Sequence, residues 1–311
     1  MKVLLLMDAL ETIHIEKDTS FSLAYKGQEK GYDVYWAMSQ HLIVRNSVPF
    51  VQARHLKFKK ETPCWEWMSE TTELAVDDFD AVMIRKDPPF DEDYFMTTHF
   101  LSLCKKAKVI NRPSALREAP EKLYPLLFPQ ICPPSIITRD GSEIRDFMLA
   151  NGGKIIVKPL NRCGGAGIIM LTPEDTNFNS LIELSTDDGK EHVIAQKYLP
   201  EIKQGDKRVI LVMGQALDGL LRTPQDGETR SNLHVGGTGS LSPLTERDQW
   251  LVDQIKDKLV ADGLYFVGID IIGDYITEIN VTSPTGIQEI LALGGNDIAE
   301  HFWDKLKDYK G

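Results

Sequence analysis

Three oxygen-bearing side chains interrupt an otherwise apolar stretch late in the sequence. Asp270, Glu278 and Asn280 lie in FVGIDIIGDYITEINVTSPTG, residues 266–286, whose pattern predicts two strands joined by a turn. Burying an unpaired carboxylate is too costly to be incidental, so we expect these groups to be paired with cations. Two carboxylates and an amide oxygen suit Mg²⁺ that is bound together with phosphates. The stretch therefore predicts a metal site, with a set of exposed strand residues as the alternative.

One metal ion can be shared by both carboxylates only if they lie on the same face of this hairpin. Side chains alternate between faces with period 2, and directly opposed residues share a face. A plain two-residue turn at Gly273 and Asp274 would pair Asp270 with Thr277 and send Glu278 to the other face. A three-residue turn or a β-bulge would instead pair Asp270 with Glu278. The metal hypothesis therefore predicts an odd offset in the hairpin.

A glycine-rich loop is the second candidate. In GKIIVKPLNRCGGAGIIML, residues 153–171, a predicted strand ends near Lys158, and Gly164 and Gly165 precede a returning strand. Backbone N–H groups of such a loop can approach phosphates closely because no side chain intervenes. The loop is neither a Walker A motif, which needs a following Gly-Lys-Ser/Thr, nor a dinucleotide fingerprint, which leads into a helix. A hairpin turn with a solvated Lys158 is the alternative.

Two polar connections and the end of one strand carry the remaining candidates. In VIAQKYLPEIKQGDKRVILV, residues 193–212, the backbone of residues 196–199 could face an adenine edge and Asp206 could meet ribose hydroxyls; an ordinary strand connection is the alternative. The stretch LRTPQDGETRSNLHVGGTG, residues 221–239, contains Arg222 and Arg230. A polar loop of this length predicts a lid or a disordered segment. Arg85, in IRKDPPFD at residues 84–91, follows a strand at the end where α/β sheets bind ligands.

The elements that must position these residues fall into two groups. The first group predicts a Rossmann-like β-α-β domain with a parallel sheet that ends near residue 120; its strands are at 2–7, 32–37, 79–84 and 108–111, and its helices at 19–30 and 92–107. The second group predicts an α+β domain; its strands are at 154–158, 167–171, 192–196, 207–213, 216–222, 265–272 and 275–281, and its helices at 141–151, 245–262 and 295–308.

Composition limits the class of protein. The chain has 311 residues and a net charge of −11, which argues against a nucleic-acid or anionic-membrane surface. An acidic protein that binds anions must concentrate its cations in one cleft. The cysteines form no CxxC pair, the apolar start is too short for a signal peptide, and no stretch reaches the length of a membrane span. A reduced, cytoplasmic location is expected.

Taken together, these segments resemble the ATP-grasp ligases, and specifically the bacterial type of glutathione synthetase. ITEINVTSPT at 276–285 is nearly diagnostic, and IRKDPPFD at 84–91 is similar to a segment of the same family. Further matches follow in the same order; they are KDTSF at 17–21, EKLY at 121–124, VKPLNRCGGAGI at 157–168, QKYLPEIKQGDKRV at 196–209 and PQDGETRSNL at 224–233. The resemblance covers almost the whole chain.

The resemblance implies an N-terminal Rossmann-like, substrate-binding domain over 1–120 and an ATP-grasp domain over 121–311. The ATP-grasp domain would comprise a lid subdomain, about 121–198, and a catalytic subdomain, about 199–311. ATP as co-substrate is implied to contact Lys122, Lys158, Gly164, Gly165, Gln196, Lys197, Tyr198, Leu199 and Asp206. Mg²⁺, with Mn²⁺ as an alternative, is implied to bind Asp270, Glu278 and Asn280. Arg208, Arg222 and, in a mobile lid, Arg230 are implied to be catalytic.

The implied reaction joins γ-glutamylcysteine to glycine through an acyl phosphate, with release of ADP and phosphate. The implied partners are these small molecules and further copies of the chain, as a tetramer, without nucleic acid or membrane. Two rival hypotheses remain: an ATP-grasp ligase acting on another acid or amine, and a nucleotide-binding relative that has lost catalysis.

Overall fold

The computed structural model describes residues 1–225 and 236–308. Its N-terminal part is a mixed sheet with helices packed against it. The elements, in chain order, are β1 (Lys2–Met7), α1 (Thr19–Glu29), β2 (Asp33–Ala37), β3 (Leu42–Arg45), β4 (Val48–Phe58), β5 (Trp65–Trp67), β6 (Thr72–Ala75), β7 (Ala81–Arg85), α2 (Glu92–Leu101), β8 (Lys108–Ile110) and α3 (Pro113–Glu118).

Strand β1 lies at the centre of the N-terminal sheet, whose order is β3-β4-β2-β1-β7-β8. It is an uninterrupted apolar run because both faces of a central parallel strand are covered, and residues 3–6 are at most 1% exposed. The pairs β1–β2, β1–β7 and β7–β8 are parallel, as the sequence predicts. The antiparallel extension formed by β3 to β6 is not in the sequence-based prediction.

The remainder of the chain forms two antiparallel sheets that face each other across a cleft. The small sheet, of order β11-β10-β12-β9, is covered by two helices; its elements are β9 (Ser135–Thr138), α4 (Gly141–Ala150), β10 (Ile155–Pro159), β11 (Ile169–Leu171), α5 (Phe178–Ser185) and β12 (Val193–Lys197). It has its own apolar core, which includes Ile144, Met148, Ile155 and Val157, all 0% exposed.

The C-terminal sheet has the order β15-β14-β13-β16-β17. Its elements are β13 (Asp206–Val212), β14 (Gln215–Thr223), β15 (Thr238–Ser242), α6 (Glu246–Asp262), β16 (Phe266–Ile272), β17 (Tyr275–Asn280), α7 (Ile287–Ala292) and α8 (Ile298–Asp308). Helix α6 begins at a capping box between Thr245 and Asp248 and ends at Gly263, whose φ of 80° explains the glycine. Within the described ranges, no helix is both long and apolar enough to cross a bilayer.

Among the contacts that tie the N-terminal unit to the C-terminal part of the chain, two are buried and extensive. The buried Asn111 side chain donates to the carbonyls of Phe266 (2.9 Å) and Val281 (2.8 Å), and its oxygen accepts from the N–H groups of Tyr265 (2.6 Å) and Phe266 (2.8 Å). At the other contact, helix α8 packs against α1, and the indole of Trp303 donates to the Leu23 carbonyl at 2.7 Å. The two parts of the chain therefore pack as one body around the cleft.

Candidate active site

A cavity of about 990 Å³, the central cavity, lies where the three sheets meet. Its walls come from the small sheet, from the C-terminal sheet, and from the loop before α1 together with the end of β7. Most of the sequence-predicted site residues line it; they are Lys158, Gly164, Gly165, Gln196, Lys197, Tyr198, Leu199, Asp206, Arg208, Arg222, Asp270, Glu278 and Asn280. One fold feature thus gathers segments more than 100 residues apart in the sequence.

The β16–β17 hairpin has the odd offset that the metal hypothesis requires. Gly273 and Asp274 form a two-residue turn with Ile272 opposite Tyr275, but the register shifts between Asp270 and Ile271. This bulge adds one residue to β17, so that Asp270 lies opposite Glu278. The register prediction is confirmed, and the device that achieves it is the bulge.

The carboxylate of Asp270 is held by two arginines. Cross-strand register explains the cluster, because Arg208 lies opposite Asp270 and Asp206 lies opposite Arg222. Arg208 donates Nε to Oδ1 of Asp270 at 2.5 Å and Nη2 to Oδ2 at 2.9 Å, while Arg222 Nη2 lies 2.9 Å from Oδ1. Arg222 also donates to Asp206 Oδ2 at 2.5 Å. All four side chains are buried, so the strands carry a compensated ionic cluster rather than isolated charges.

The pKa values of the two carboxyl groups in this cluster are shifted in opposite directions. Burial alone would raise the pKa of Asp270, but Arg208 and Arg222 outweigh it and hold that pKa below its usual range. Burial dominates at Asp206 and raises its pKa to about 6, with the nearby Asp270 acting in the same direction and Arg222 against it. Burial and the two aspartates act on Arg222 in opposite senses, and its pKa is raised.

The oxygen donors of the hairpin fit a hard divalent cation. Asn280 Nδ2 lies 3.3 Å from Asp270 Oδ2, and Glu278 is the cross-strand partner of Asp270, so two carboxylates and an amide meet at one place. Among the described residues, no group of three or more His, Cys, Asp or Glu side chains is arranged to hold a metal. Two carboxylates and an amide are oxygen ligands of the kind that suits an ion which takes further oxygens from phosphate, as Mg²⁺ or Mn²⁺ does.

Lys158 and the glycine-rich loop approach the cavity from the small sheet. Lys158 Nζ lies 3.5 Å from Glu278 Oε1 on the opposite side of the cleft, and its side chain is 10% exposed. Gly164 and Gly165 line the cavity with φ of 65° and 81°, a region that favours glycine. The solvated-lysine alternative for Lys158 is therefore wrong.

Strand β12 runs into the segment predicted to face adenine. All four residues from Gln196 to Leu199 line the cavity, and the Gln196 side chain is buried and donates to Ser135 Oγ at 3.2 Å. The N–H groups of Lys197 and Tyr198 donate to the carbonyls of Pro134 (2.9 Å) and Lys154 (3.1 Å). Because these two N–H groups are used within the small sheet, a ligand would contact the remaining backbone groups and the side chains of residues 196–199.

Some predicted residues are placed differently or fall outside the described part. Lys122 is buried, with 5% of its surface exposed, and its ammonium contacts the Glu121 carboxylate and the Arg162 carbonyl. Arg230 and most of the expected lid, residues 226–235, lie outside the described residues. The ends of that segment are regular structure, because Thr223 on β14 pairs with Thr238 on β15. The expectation of a continuous loop from 223 to 239 is corrected at those two ends.

Arg85 and Glu121 also line the cavity; the sequence-based prediction named Arg85 as a candidate without a role and did not single out Glu121. Glu121 lines the cavity, and its only sequence signal is its place beside Lys122 in EKLY. Arg85 is buried at the end of β7, donates Nε to Ser20 Oγ at 3.0 Å and Nη2 to the Pro284 carbonyl at 3.2 Å, and lines the same cavity. Its position after an apolar strand was a usable signal.

Comparison with solved structures defines the class. The chain is similar to D-cycloserine synthetase DcsG (TM-score 0.70, 14% identity, 98% of this chain and 99% of that chain). It is also similar to a RimK domain protein ATP-grasp from Sphaerobacter thermophilus (TM-score 0.64, 14% identity, 99% and 100%). At such identities only the fold is shared, and that fold is the mixed α/β ATP-grasp fold, with the cavity between its sheets.

Comparison of sequences defines the family. The family models "Prokaryotic glutathione synthetase, N-terminal domain" and "Prokaryotic glutathione synthetase, ATP-grasp domain" match residues 1–117 and 121–295. The chain is 38% identical over 308 residues to a glutathione synthetase of Xanthomonas campestris pv. campestris (98% of this chain, 97% of the relative). It is 39% identical over 314 residues to one of Ralstonia nicotianae (100% and 97%). The chain belongs to the prokaryotic glutathione synthetase family and is an ATP-dependent ligase.

Proposed function

We propose that this chain joins γ-glutamylcysteine to glycine at the central cavity, with ATP converted to ADP and phosphate. The cysteine carboxylate of the dipeptide attacks the γ-phosphate of ATP, which gives an acyl phosphate and ADP. The glycine amine then displaces phosphate and forms the amide. The observation that carries the proposal is the convergence of Lys158, Arg208, Arg222 and the Asp270–Glu278 hairpin on one cavity in a chain of this family.

The first step brings an anion to a polyanion, which is favoured only if cations lie beside the reacting groups. Two unit charges about 4 Å apart repel by about 1 kcal/mol in water and by about 4 kcal/mol at an effective dielectric near 20. Lys158, Arg208 and Arg222 supply positive charge at the transferring phosphoryl group and the acyl substrate. The role of each residue follows from its place on the cavity wall, and Arg230 is proposed to act from the segment beyond β14.

Asp270, Glu278 and Asn280 are proposed to hold the divalent cation, Mg²⁺ in preference to Mn²⁺. When bound, the cation neutralises phosphate charge and polarises the phosphoryl group. Lys158 Nζ lies 3.5 Å from Glu278 Oε1. Lys158 would therefore turn from Glu278 toward phosphate, and Glu278 would turn to the cation. The Lys158–Glu278 ion pair would thus be replaced by a contact of Lys158 with phosphate and a contact of Glu278 with the cation.

The nucleotide is proposed to lie along the small sheet. Gly164 and Gly165 present backbone N–H groups to the phosphates, Lys122 adds charge behind them, the 196–199 segment faces adenine, and Asp206 faces ribose. Because Asp206 is paired with Arg222 at 2.5 Å, binding of ribose would shift this aspartate within the arginine cluster. The N–H of Leu199 is proposed to donate to the adenine edge, because the N–H groups of Lys197 and Tyr198 already donate to carbonyls of the small sheet.

The dipeptide is proposed to occupy the other half of the cavity, beside Arg85. This assigns substrate binding to a Rossmann-like N-terminal domain over residues 1–120 and ligation to an ATP-grasp domain over 121–311. In the latter, about 121–198 would move as a lid subdomain against the catalytic subdomain at about 199–311. A homotetramer in the cytoplasm completes the proposal; sedimentation velocity tests the oligomer.

Release of ADP tests the proposed substrates. Purified protein is given ATP, Mg²⁺, γ-glutamylcysteine and each of a panel of amino acids, and ADP and the peptide product are quantified. Release that requires both γ-glutamylcysteine and glycine supports the proposal. ADP release with a different acid or amine would show that the chain is a ligase with other substrates. Nucleotide binding without turnover under every condition would show that it has lost catalysis.

A further inference from the structure

The loop that precedes α1 forms part of the cavity wall but has few anchors of its own. Residues 12–18, which we call the wall loop, all line the central cavity, and those at 12, 14, 16 and 17 are exposed. Its own hydrogen bonds are local, because the N–H groups of Lys17 and Asp18 both donate to the His14 carbonyl at 2.9 Å. Its two isoleucines are half-buried at the edge of the apolar core. These contacts shape the turn, but they do not by themselves fix its place on the cavity wall.

A side chain from the C-terminal part of the chain holds this loop. Gln288, on α7, donates Nε2 to the Ile15 carbonyl at 2.8 Å and to the Asp18 carbonyl at 2.6 Å. An amide nitrogen carries two hydrogens, so each carbonyl can receive one of them and the donor capacity of the group is fully used. The Asp18 carbonyl also accepts from the N–H of Ser22 in the first turn of α1, at 3.1 Å. One amide group therefore ties the wall loop to the start of α1.

Gln288 makes these contacts from outside the cavity. Its neighbours Gly286 and Glu289 line the central cavity, and Ile287 and Ile290 are buried in the apolar core. The Gln288 side chain is half-buried and is not part of the cavity wall. Its effect on a ligand in the cavity would therefore pass through the wall loop.

A second contact joins the same segment to the start of α1. The guanidinium of Arg85 donates to the Pro284 carbonyl at 3.2 Å and to Ser20 Oγ at 3.0 Å. Ser20 follows Asp18 by two residues, so the contacts of Arg85 and Gln288 close a ring around the start of the helix. Arg85 holds the helix, whereas Gln288 reaches into the wall loop itself.

We propose that Gln288 is a positioning residue that holds the wall loop in place for the dipeptide half of the cavity. The hold on the loop stands on the geometry, whereas the service to the dipeptide rests on the proposed function. A loop released from this amide would be in place in only a fraction of the molecules, and the apparent affinity for a ligand that needs the loop falls by that fraction. The nucleotide is proposed to lie along the small sheet, so its binding should be spared.

The substitution Gln288→Met keeps the length of the side chain and removes both N–H groups. Gln28→Met is the matched control, because Gln28 is also half-buried on a helix and its amide also makes two hydrogen bonds to backbone. Its Nε2 donates to the Phe58 carbonyl at 3.3 Å, and its Oε1 accepts from the Phe58 N–H at 2.7 Å. The control thus loses the same number of hydrogen bonds, but at the other end of α1 from the wall loop.

Hydrogen exchange tests the hold on the loop without any ligand. Peptides that cover residues 10–18 are followed by mass spectrometry, with the amides of Lys17 and Asp18 as reporters because both donate to the His14 carbonyl. We expect Gln288→Met to speed their exchange about tenfold, as the loss of one net hydrogen bond implies, and Gln28→Met to leave it unchanged. Unchanged exchange in folded Gln288→Met would overturn the proposal.

Steady-state kinetics and nucleotide binding test the service to the dipeptide. We expect Gln288→Met to raise the KM for γ-glutamylcysteine about fivefold, because part of the population lacks the wall loop in its place. The kcat at saturating dipeptide and the Kd for a non-hydrolysable ATP analogue should change little, since bound dipeptide selects the ordered loop. Gln28→Met should alter none of these values. Faster exchange with an unaltered KM for the dipeptide would overturn the positioning role, and so would equal losses for the dipeptide and the nucleotide.

A second variant keeps the test open if Gln288→Met does not fold. Gln288→Asn is one methylene shorter and loses at least one of the two contacts, so it carries the same measurements with a smaller expected change. Absence of ADP release from the parent protein with γ-glutamylcysteine and glycine would overturn the proposed function. It would leave the exchange result standing as the measure of whether Gln288 holds the wall loop.

Discussion

The paired carboxylates of the hairpin illustrate how a buried charge can be kept. Asp270 accepts from Arg208 through two nitrogens and from Arg222 through one, so its ionised form is favoured although it is 4% exposed. Glu278 is more exposed, at 19% of its side chain, and its ion-pair partner Lys158 is 3.5 Å away. The two carboxylates share a face yet differ in structural importance.

Asp270→Asn should therefore destabilise the free protein much more than Glu278→Gln. Loss of the Asp270 charge leaves two buried guanidinium groups short of a counter-charge, which costs about 3–5 kcal/mol. Loss of the partly exposed Glu278 charge should cost about 1 kcal/mol or less. Urea denaturation gives both values, and Mn²⁺ titration with nucleotide present should show weaker binding in each variant. Equal losses of stability would contradict the assignment of Asp270 as the centre of the cluster.

Lys158→Ala should weaken ATP binding about tenfold or more, equivalent to about 1.4 kcal/mol, because a buried positive charge leaves the phosphate end of the cleft. Lys190→Ala is the control, since Lys190 lies in the same part of the chain with its side chain 68% exposed. Calorimetric titration with a non-hydrolysable ATP analogue measures both. An affinity like that of the control would remove Lys158 from the nucleotide site.

The sequence could reveal these residues, but not all of their partners. Carboxylates and an amide in an apolar hairpin, and a lysine before a glycine-rich loop, can be recognised from the sequence alone because these residue types are unusual in such surroundings. That Arg208 and Arg222 lie on Asp270 depends on the registers of β13 with β14 and β16, which join residues far apart in the chain. Glu121 carries no pattern of its own, and its place follows from contacts with Ile279 and Lys122.

At the scale of elements, most strongly periodic strands were predicted, whereas β4, with eleven residues and alternating burial, and the short strands beside it were not. The parallel core of the N-terminal sheet and the C-terminal hairpins are predicted within a few residues. Strands β3, β5 and β6 are three or four residues long and partly exposed, so they lack the buried alternation that signals a strand. The offset between β16 and β17 was deducible as a requirement, whereas the choice of a bulge over a longer turn depends on local packing.

Asp77 makes the N-terminal unit sensitive to acid. Its carboxylate accepts from the N–H groups of Lys105 (2.9 Å), Lys106 (2.9 Å) and Ala107 (3.1 Å), which orders the turn between α2 and β8. Burial alone would raise the pKa of Asp77, but these three backbone donors outweigh it and lower that pKa. Because the folded pKa is depressed, the stabilisation is present above the ordinary value of 3.8 and is lost as pH falls through the folded pKa.

Asp77→Asn should accordingly cost about 1 kcal/mol at neutral pH, since charged hydrogen bonds at a partly exposed site become neutral ones. The difference from the parent protein should shrink as the pH falls below 3.8. Asp78→Asn, on the exposed neighbour, is the control and should cost little at either pH. Denaturant unfolding at several pH values measures the difference, and a gap that does not depend on pH would show that shape rather than charge is responsible.

At the scale of the whole molecule, a net charge of −11 coexists with a cavity that gathers several buried cationic side chains beside its carboxylates. The outer surface can carry the acidic excess because the cations needed for anionic substrates are buried in the walls of the central cavity. These cations are Arg85, Lys158, Arg208 and Arg222. The same arrangement requires the parts of the chain to hold together, since residues of all three sheets line the cavity.

Asn111→Ala should therefore damage more than its own strand. It leaves two backbone N–H groups and two carbonyls at the ends of β16 and β17 without their side-chain partner, at about 1–3 kcal/mol for each group left unsatisfied. Thermal unfolding of the parent should be a single transition, and that of Asn111→Ala should be shifted down by several degrees or split. Asn151→Ala, at the partly buried C-terminal end of α4, is the control. A shift no larger than that of the control would show that the two units are coupled elsewhere.

The packing of α8 on α1 has a consequence for how the protein is made. Trp303 reaches the Leu23 carbonyl, and its ring lies 3.3 Å from where a Cβ would stand on Gly27, so the last helix completes a core begun by the first. Synthesis runs from the amino end, so β2 and β4 can cover part of the apolar side of α1 early, but the part that meets Trp303 stays uncovered until α8 is made. Until α8 has been synthesised, that part of α1 is an apolar surface to which chaperones could bind.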